Sequence, residues 1–332
     1  MARTTINDVA KRAGVSVATV SRALRGLPNV SASTRRRVEA AAEALNYAAD
    51  SRASSLASGR TNIIGLVAPD FGSWYVSQTV AGVEKALAAV GYDLLVLGVP
   101  RSLDREEVFA ERLATRRLDG LLLVDFFVQS ELRTLLLSDS DLPIVAMGET
   151  IEGLTSLTID NVAGGRMMVE HLVELGHRDI VYLGGNPTGQ KAAADVLRRV
   201  GASEAAEAAG HGPLRIQIVS YDITGGRDGW HELQASGLPT AVLCGSDEVA
   251  MGFMSAARRS GVEVPEDLSV VGFDDHEMAE ALGLTTVRQR VRANGIRAVE
   301  LLLAQIAEPD LPRENHVADL ELVTRASSGP PN

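Results

Sequence analysis

The chain has 332 residues, 45% hydrophobic and 23% charged, with a formal net charge of −11, an ordinary globular balance with length for more than one domain. No run of about 18 apolar residues occurs, which excludes a transmembrane helix, and the polar start from Met1 to Asp8 lacks a secretory pattern, so the chain is expected in the cytoplasm. One cysteine, Cys244, and six histidines without ligand spacing exclude a disulfide framework and give no expectation of a metal or cofactor.

The charge is unevenly spread. Residues 1–60 hold ten basic and four acidic side chains, a balance of +6, which leaves −17 on the other 272. A basic head can rest on phosphates while an acidic body is repelled from them. Chance clustering is the plainer alternative.

In the head, Ile6, Val9, Ala10 and Ala13 fall at helical spacing, and Gly14 breaks the run. Ser16 is placed to cap a second helix from Val17 to Leu24, with Val20 and Leu24 inward. A third helix starts near Ser31 and keeps Val38, Ala41 and Leu45 on one face. Helix, glycine turn, helix and a third helix make a helix-turn-helix unit; a plain three-helix bundle with hydroxyl caps is the alternative. In such a unit the second helix enters the major groove by its N-terminal residues. Val17, Ala18, Ser21 and Arg22 lie on the face that Val20 and Leu24 do not use. Arg22 is long enough for a bidentate bond to guanine. Val17 and Ala18 offer apolar contacts to thymine methyls, and Ser16, Thr19, Ser31 and Thr34 can donate to phosphate oxygens.

This stretch resembles the DNA-binding head of the lactose-repressor (LacI) family. The matching residues are Asp8-Val9-Ala10, Ala13-Gly14-Val15-Ser16, Thr19-Val20-Ser21-Arg22, Val30-Ser31, Thr34-Arg35 and Leu45-Asn46-Tyr47. The Val17-Ala18 pair is similar to that of galactose-repressor-like members. The resemblance implies that residues 17, 18 and 22 read bases.

Residues 47–61 are small and polar, which by composition reads as a linker, because so short a helix is marginal alone. Arg52-Ala53-Ser54-Ser55-Leu56 and Gly59-Arg60-Thr61 are similar to the family's hinge helix. That resemblance implies paired hinge helices in the minor groove, with Leu56 wedged between base pairs and Ala53 allowing close approach. Ala48-Ala49-Asp50 departs from a proline and asparagine common in the family.

From residue 62 short apolar runs alternate with amphipathic stretches: Ile63–Val67, Leu94–Leu97, Leu121–Val124, Ile144–Met147, Ile180–Leu183, Ile216–Val219, Ala241–Cys244 and Leu268–Val271. This alternation predicts parallel sheets with helices on both faces, in two lobes with a cleft at the carboxyl ends of the strands. Asp70, Phe71, Trp74 and Tyr75 follow the first run, and their rings either stack on a ligand or pack between the lobes. Asp160 and Asp274 end strand-like runs and can accept hydrogen bonds from ligand hydroxyls; Asp160 equally fits a helix cap.

The body resembles the same family over Ile159–Gly165, His171–Arg178, Gly245–Gly252, Val264-Pro265, Asp267–Asp275 and Leu284–Gln289. This implies a two-lobed fold like that of periplasmic sugar-binding proteins, with three crossovers and an effector in the cleft, and it assigns Asp274 and Gln289 to effector contact. Three departures bear on the ligand. The stretch Ala192–Leu197 lacks the family's gripping arginine, with Asp195 in its place. Ser246 stands where asparagine is common, and Gly148-Glu149 replaces an aspartate-arginine pair. Gly201–Gly212 is alanine-rich and expected to be shortened or loosened, and Gly329–Asn332 to fray.

The expected architecture is a helix-turn-helix head (1–46), a hinge (47–61) and a two-lobed effector-binding and dimerisation body (62–332). The expected function is a homodimeric repressor on palindromic double-stranded operator DNA, released or held by a sugar or related metabolite through a coupling of about 1–3 kcal/mol. A solute-binding receptor is the alternative that lacks DNA function. A nucleotide-dependent enzyme is disfavoured because no G-x-G-x-x-G, P-loop or G-x-S-x-G is present, and His171 and His177 read as helix-surface and turn residues.

Overall fold

The structure, a computed structural model, describes residues 4–24, 28–45, 47, 60–68, 71–98, 117–125, 142–185 and 192–332. The expected hinge contacts Ala53 and Leu56, and Asp70, lie outside the described residues. The chain divides into two compact units, Met1–Asn62 with Arg117–Asp119, and Ile63–Arg116 with Gly120–Asn332.

The first unit is built on α1 (Ile6–Ala13), α2 (Val17–Leu24) and α3 (Ala32–Ala44). Its centre is apolar: Val9, Val20 and Val38 are fully buried, and small alanines let the short helices approach. Each helix start is specified locally. Asp8 accepts from the Thr5 amide at 2.9 Å, closing a capping box on α1. Ser16 and Ser31 each accept from the amide three residues on, at 3.2 Å. Gly14 ends α1 at φ +64°, where a side chain would be strained.

In the second unit two six-stranded sheets are each assembled from separate stretches of chain. The first lobe contains β1 (Ile63–Ala68), α4 (Trp74–Ala89), β2 (Asp93–Gly98), β3 (Gly120–Val124), β4 (Ile144–Met147) and β5 (Thr155–Ile159). The chain then crosses into α5 (Asn161–Glu174), β6 (Ile180–Gly184), α6 (Ala192–Ala208), β7 (Arg215–Ile218), α7 (Ile223–Ser236) and β8 (Ala241–Cys244). The second lobe continues through α8 (Asp247–Arg259), β9 (Ser269–Asp274), α9 (Glu277–Leu282) and β10 (Thr285–Gln289). A return crossing brings α10 (Val291–Ala307) and β11 (Asn315–Ala318) to the first lobe, and β12 (Leu320–Val323) goes back to the second. The sheet orders are β11-β5-β4-β3-β1-β2 and β12-β10-β9-β8-β6-β7. Every neighbour pair is parallel except β12 against β10. All eight apolar runs of the sequence fall on strands. β3 and β6 are buried along their whole length, as strands covered on both faces must be.

Two expectations about this unit are corrected. The alanine-rich stretch is not loose, because α6 runs through it to Ala208 with Ala202, Ala205 and Ala206 buried. Gly165 and Gly201 make that packing possible: a Cβ on either would collide with a backbone carbonyl of the facing helix. Nor does Gly329–Asn332 fray. Ser327 Oγ donates to the Val270 carbonyl at 2.6 Å, Gly329 donates to Ser269 Oγ at 3.0 Å, and Asn332 reaches the Glu266 carbonyl at 2.5 Å.

The two histidines read from sequence as turn and surface residues meet this tail. His177 is 1% exposed and its Nε2 donates to the Gly329 carbonyl at 2.8 Å; His171 Nε2 lies 2.8 Å from Ser328 Oγ. Burial lowers both pKa values from 6.5. The folded state therefore favours neutral imidazoles. Their contribution is fully present above about pH 6.5 and is lost as pH falls through the lowered folded values. We predict that the melting temperature drops more between pH 7.5 and 5.5 in the parent than in His177→Asn; equal drops would refute this.

Among the described residues, no helix is long and apolar enough to cross a membrane, and no group of three or more His, Cys, Asp or Glu is placed to hold a metal ion.

Candidate functional sites

The first site is the outer face of α2. Val20 and Ala23 are buried, at 0% and 2% exposure, while Val17 is 39% exposed and Ala18 and Arg22 are exposed; Ser21 is half-buried. An eight-residue helix thus presents one short stripe outward from its first two turns. The hydroxyls expected to meet phosphates also serve the helix starts. Ser16 Oγ lies 2.9 Å from Thr19 Oγ1, and Ser31 Oγ lies 2.9 Å from Thr34 Oγ1. These starts carry the partial positive charge of aligned peptide dipoles, suited to an anion.

The second site is a cleft between the lobes, lined by residues of both. The first lobe contributes Ser73, Tyr75, Asp125 and Gly148. The second contributes Asn161, Arg198, Tyr221, Ser246, Glu248 and Asp274, and Ile159 and Gln289 come from the crossings. Asp125, Gly148, Ile159, Ser246, Asp274 and Gln289 all sit at or just past carboxyl ends of strands, where open α/β sheets place ligands.

Arg198 organises the floor. It is 6% exposed. Its Nε donates to Asn161 Oδ1 at 2.8 Å, and its Nη1 to Tyr221 OH at 2.8 Å and the Gly245 carbonyl at 2.6 Å. The guanidinium lies 3.7 Å from the centre of the Phe273 ring, a cation–π contact. Burial opposes its charge, but Tyr221, Asp274, Tyr182 and Asp195 outweigh burial and raise its pKa. Beside it, burial raises the pKa values of Tyr75, Tyr182 and Tyr221, so all three keep their phenolic protons. The cleft therefore offers a fixed cation, neutral hydroxyl donors and carboxylate acceptors, the groups that recognise a hydroxylated ligand.

Asp274 and Gln289 are joined, Gln289 Nε2 donating to Asp274 Oδ1 at 2.5 Å. Asp274 and Asp275 hold consecutive positive φ values, +122° and +58°, a strained turn that its surroundings must enforce. Asp275 is gripped at 2.6 Å by both Arg288 and Arg325. The fully buried Asp247 accepts from the His276 amide at 2.8 Å and from the Thr286 hydroxyl at 2.7 Å.

Of the six residues expected at the effector, Tyr75, Asp274 and Gln289 line the cleft and three do not. Phe71 is 47% exposed. Trp74 bridges the lobes: its ring stacks on His276 with centroids 4.9 Å apart, and its Nε1 donates to Glu277. Asp160 is exposed and caps α5, accepting from the Ala163 amide at 2.8 Å. The stretch Ala192–Leu197 holds no arginine, as expected, but Arg198 follows it directly and lines the cleft floor. Asp195 instead lies under the floor, accepting from Tyr182 at 2.8 Å and paired with Arg199 at 3.0 Å. Asp125 and Tyr221 were missed, although each follows a strand and the strand-end rule, applied evenly, finds both.

Comparison with known proteins matches residues 5–50 to a family described as bacterial regulatory proteins, lacI family, and residues 169–328 to a periplasmic binding protein-like domain. The HTH-type transcriptional repressor PurR of Aliivibrio fischeri is 33% identical over 97% of this chain and 98% of its own length. Among solved structures, the Lac repressor dimer bound to operator and the anti-inducer ONPF is similar at TM-score 0.88 and 29% identity, covering 99% of this chain and all of that one. A transcriptional regulator CelR–cellobiose complex is similar at TM-score 0.71 and 29% identity, covering 98% and 100%.

Proposed function

Because the chain belongs to the lacI family of bacterial regulatory proteins, a family of transcriptional regulators rather than enzymes, we propose that it acts in the cytoplasm as a homodimeric repressor. It binds a palindromic operator, and a sugar or related metabolite in the cleft sets its affinity. Residues 1–46 form the DNA-reading head, 47–61 the hinge, and 62–332 the effector-binding and dimerisation body.

The observation that carries this reading is the divided α2. One face closes the head's core while Val17, Ala18 and Arg22 stand outward, on a basic segment joined to an acidic body. Ser16, Thr19, Ser21, Ser31 and Thr34 supply polar contacts near the phosphates, and Ala53 and Leu56 enter the minor groove. Two such heads on a dimer read half-sites about one DNA turn apart. In the cleft, Arg198, Asp274 and Gln289 hold ligand hydroxyls, and Tyr75 supplies a ring face.

Selection of bound duplexes from a random pool is expected to yield a palindrome. Metabolites screened against that complex are expected to include one that changes its dissociation. A purified chain that shows no duplex preference at low ionic strength refutes the proposal.

A further inference from the structure

Where the hinge ends, the chain enters β1 through a clasp for which DNA reading and effector binding as described have no role. Asp119 stands immediately before β3. Its Oδ1 accepts from the Thr61 amide at 2.7 Å and the Thr61 hydroxyl at 2.8 Å, and its Oδ2 accepts from the Asn62 amide at 2.9 Å. Both oxygens of one carboxylate are thus turned onto one dipeptide. Asn62 sits at φ +55°, in the left-handed region that asparagine enters more readily than most side chains. Three convergent hydrogen bonds hold the dipeptide against Asp119. Residues 117–119 group with the N-terminal unit, although the next residue opens β3.

The sheet does not need this clasp. The β1–β2 ladder begins at Ile63 opposite Asp93, and the β1–β3 ladder at Ile64 opposite Gly120. Asp119, Thr61 and Asn62 lie before both. What the clasp holds is the conformation of Thr61 and Asn62, the two residues before β1 in the sequence. At its other end β3 delivers Asp125 to the cleft. Between those ends it is fully buried, paired with β1 on one side and β4 on the other. A single stiff strand carries the linker's anchor at one end and a cleft carboxylate at the other.

We propose that Asp119 is a positioning residue for DNA binding: it fixes the exit of the hinge so that two heads meet one operator together, and β3 links that exit to the cleft. The inference rests on the repressor reading above. Its physics is that of effective concentration. Once one head has docked, the second finds its half-site efficiently only if the linker's origin is fixed. A loosened exit lowers two-headed, specific binding and leaves nonspecific phosphate binding intact.

The test uses the full chain and its Asp119→Ala and Asp119→Asn variants. Binding is measured by anisotropy on a duplex selected by the parent and on a scrambled duplex of equal length. Asp119→Ala is expected to weaken selected-duplex binding by about tenfold or more while scrambled-duplex binding stays within about twofold. Asp119→Asn, which keeps an acceptor for Thr61, is expected to fall between. Hydrogen exchange at the Thr61 and Asn62 amides is expected to be slowed in the parent and to quicken by about tenfold or more in Asp119→Ala.

The inference is overturned if the parent's Thr61 and Asn62 amides exchange like free chain, or if Asp119→Ala discriminates duplexes as well as the parent. It is also overturned if both variants lose selected and scrambled binding together with melting temperature, the pattern of a merely structural role. A parent with no duplex preference overturns the repressor reading and this inference together; a selective parent with an equally selective Asp119→Ala variant overturns the inference alone.

Discussion

Arg22→Ala is expected to cost about 1–3 kcal/mol of operator binding, concentrated at one base position of each half-site. The side chain is exposed on α2, beside Val17 and Ala18 and opposite the buried Val20 and Ala23. Its removal leaves the head's core untouched, so melting temperature should not move. Binding to a duplex substituted at that base should already be weak in the parent and little changed in the variant. Arg22→Lys keeps the charge but not the planar fork, so it should restore nonspecific affinity without restoring base preference. Unchanged operator preference in Arg22→Ala would falsify groove reading by this residue.

Arg198→Ala is expected to do more damage, in the body. The substitution strips the cation from the cleft floor and leaves Asn161 Oδ1 without its Arg198 donor, while the Gly245 carbonyl keeps the Tyr221 hydroxyl. A buried acceptor left unsatisfied costs about 1–3 kcal/mol, so the melting temperature should fall. Effector affinity should fall by about 2–5 kcal/mol, at least roughly thirtyfold in Kd, because a desolvated charged donor is lost. The effector's influence on operator binding, whichever its sign, should be lost. Calorimetric titration of parent and variant with the metabolite found to change operator dissociation decides the matter. Parent-like affinity in Arg198→Ala would remove this residue from the effector site.

What the sequence made legible was whatever local chemistry determines. Gly14, Ser16 and Ser31 mark helix ends because a left-handed turn and a capping oxygen are properties of single residues. The runs Ile63–Val67 and Leu121–Val124 mark strands because strands buried on both faces must be apolar throughout. β5 and β10 were less plain: Thr155, Ser156, Thr285 and Thr286 are hydroxyl-bearing strand residues, all buried, whose polarity hides the pattern. The cleft was legible as a location and only partly as a list. Asp274 follows from a strand end and Gln289 from the family resemblance, but Arg198 reaches the floor from within α6, and only the packing of α5 on α6 brings it beside Asn161. Trp74 and Asp160 show the reverse, where residue types suited to a ligand are taken by a bridging contact to His276 and by a helix cap. The tail was misread because glycine and prolines suggest fraying, whereas distant partners such as Ser269 and His177 hold it.

The threefold threading of the body also sets the sequence of events during synthesis. Neither lobe is encoded by one unbroken stretch: the first needs α10 and β11 after the second has been passed, and the second takes β12 last. On the ribosome the head, made entirely of local contacts, is free to fold at once. Both sheets wait for residues 315–323 to emerge, and the second lobe, with β6 to β10 already made, lacks only an edge while the first still lacks a covering helix. Its apolar faces around Leu87 and Leu122, covered by Leu302 in the finished fold, stand open for that interval. Cutting the gene at any point between β1 and β11 is therefore expected to yield aggregation rather than an autonomous half.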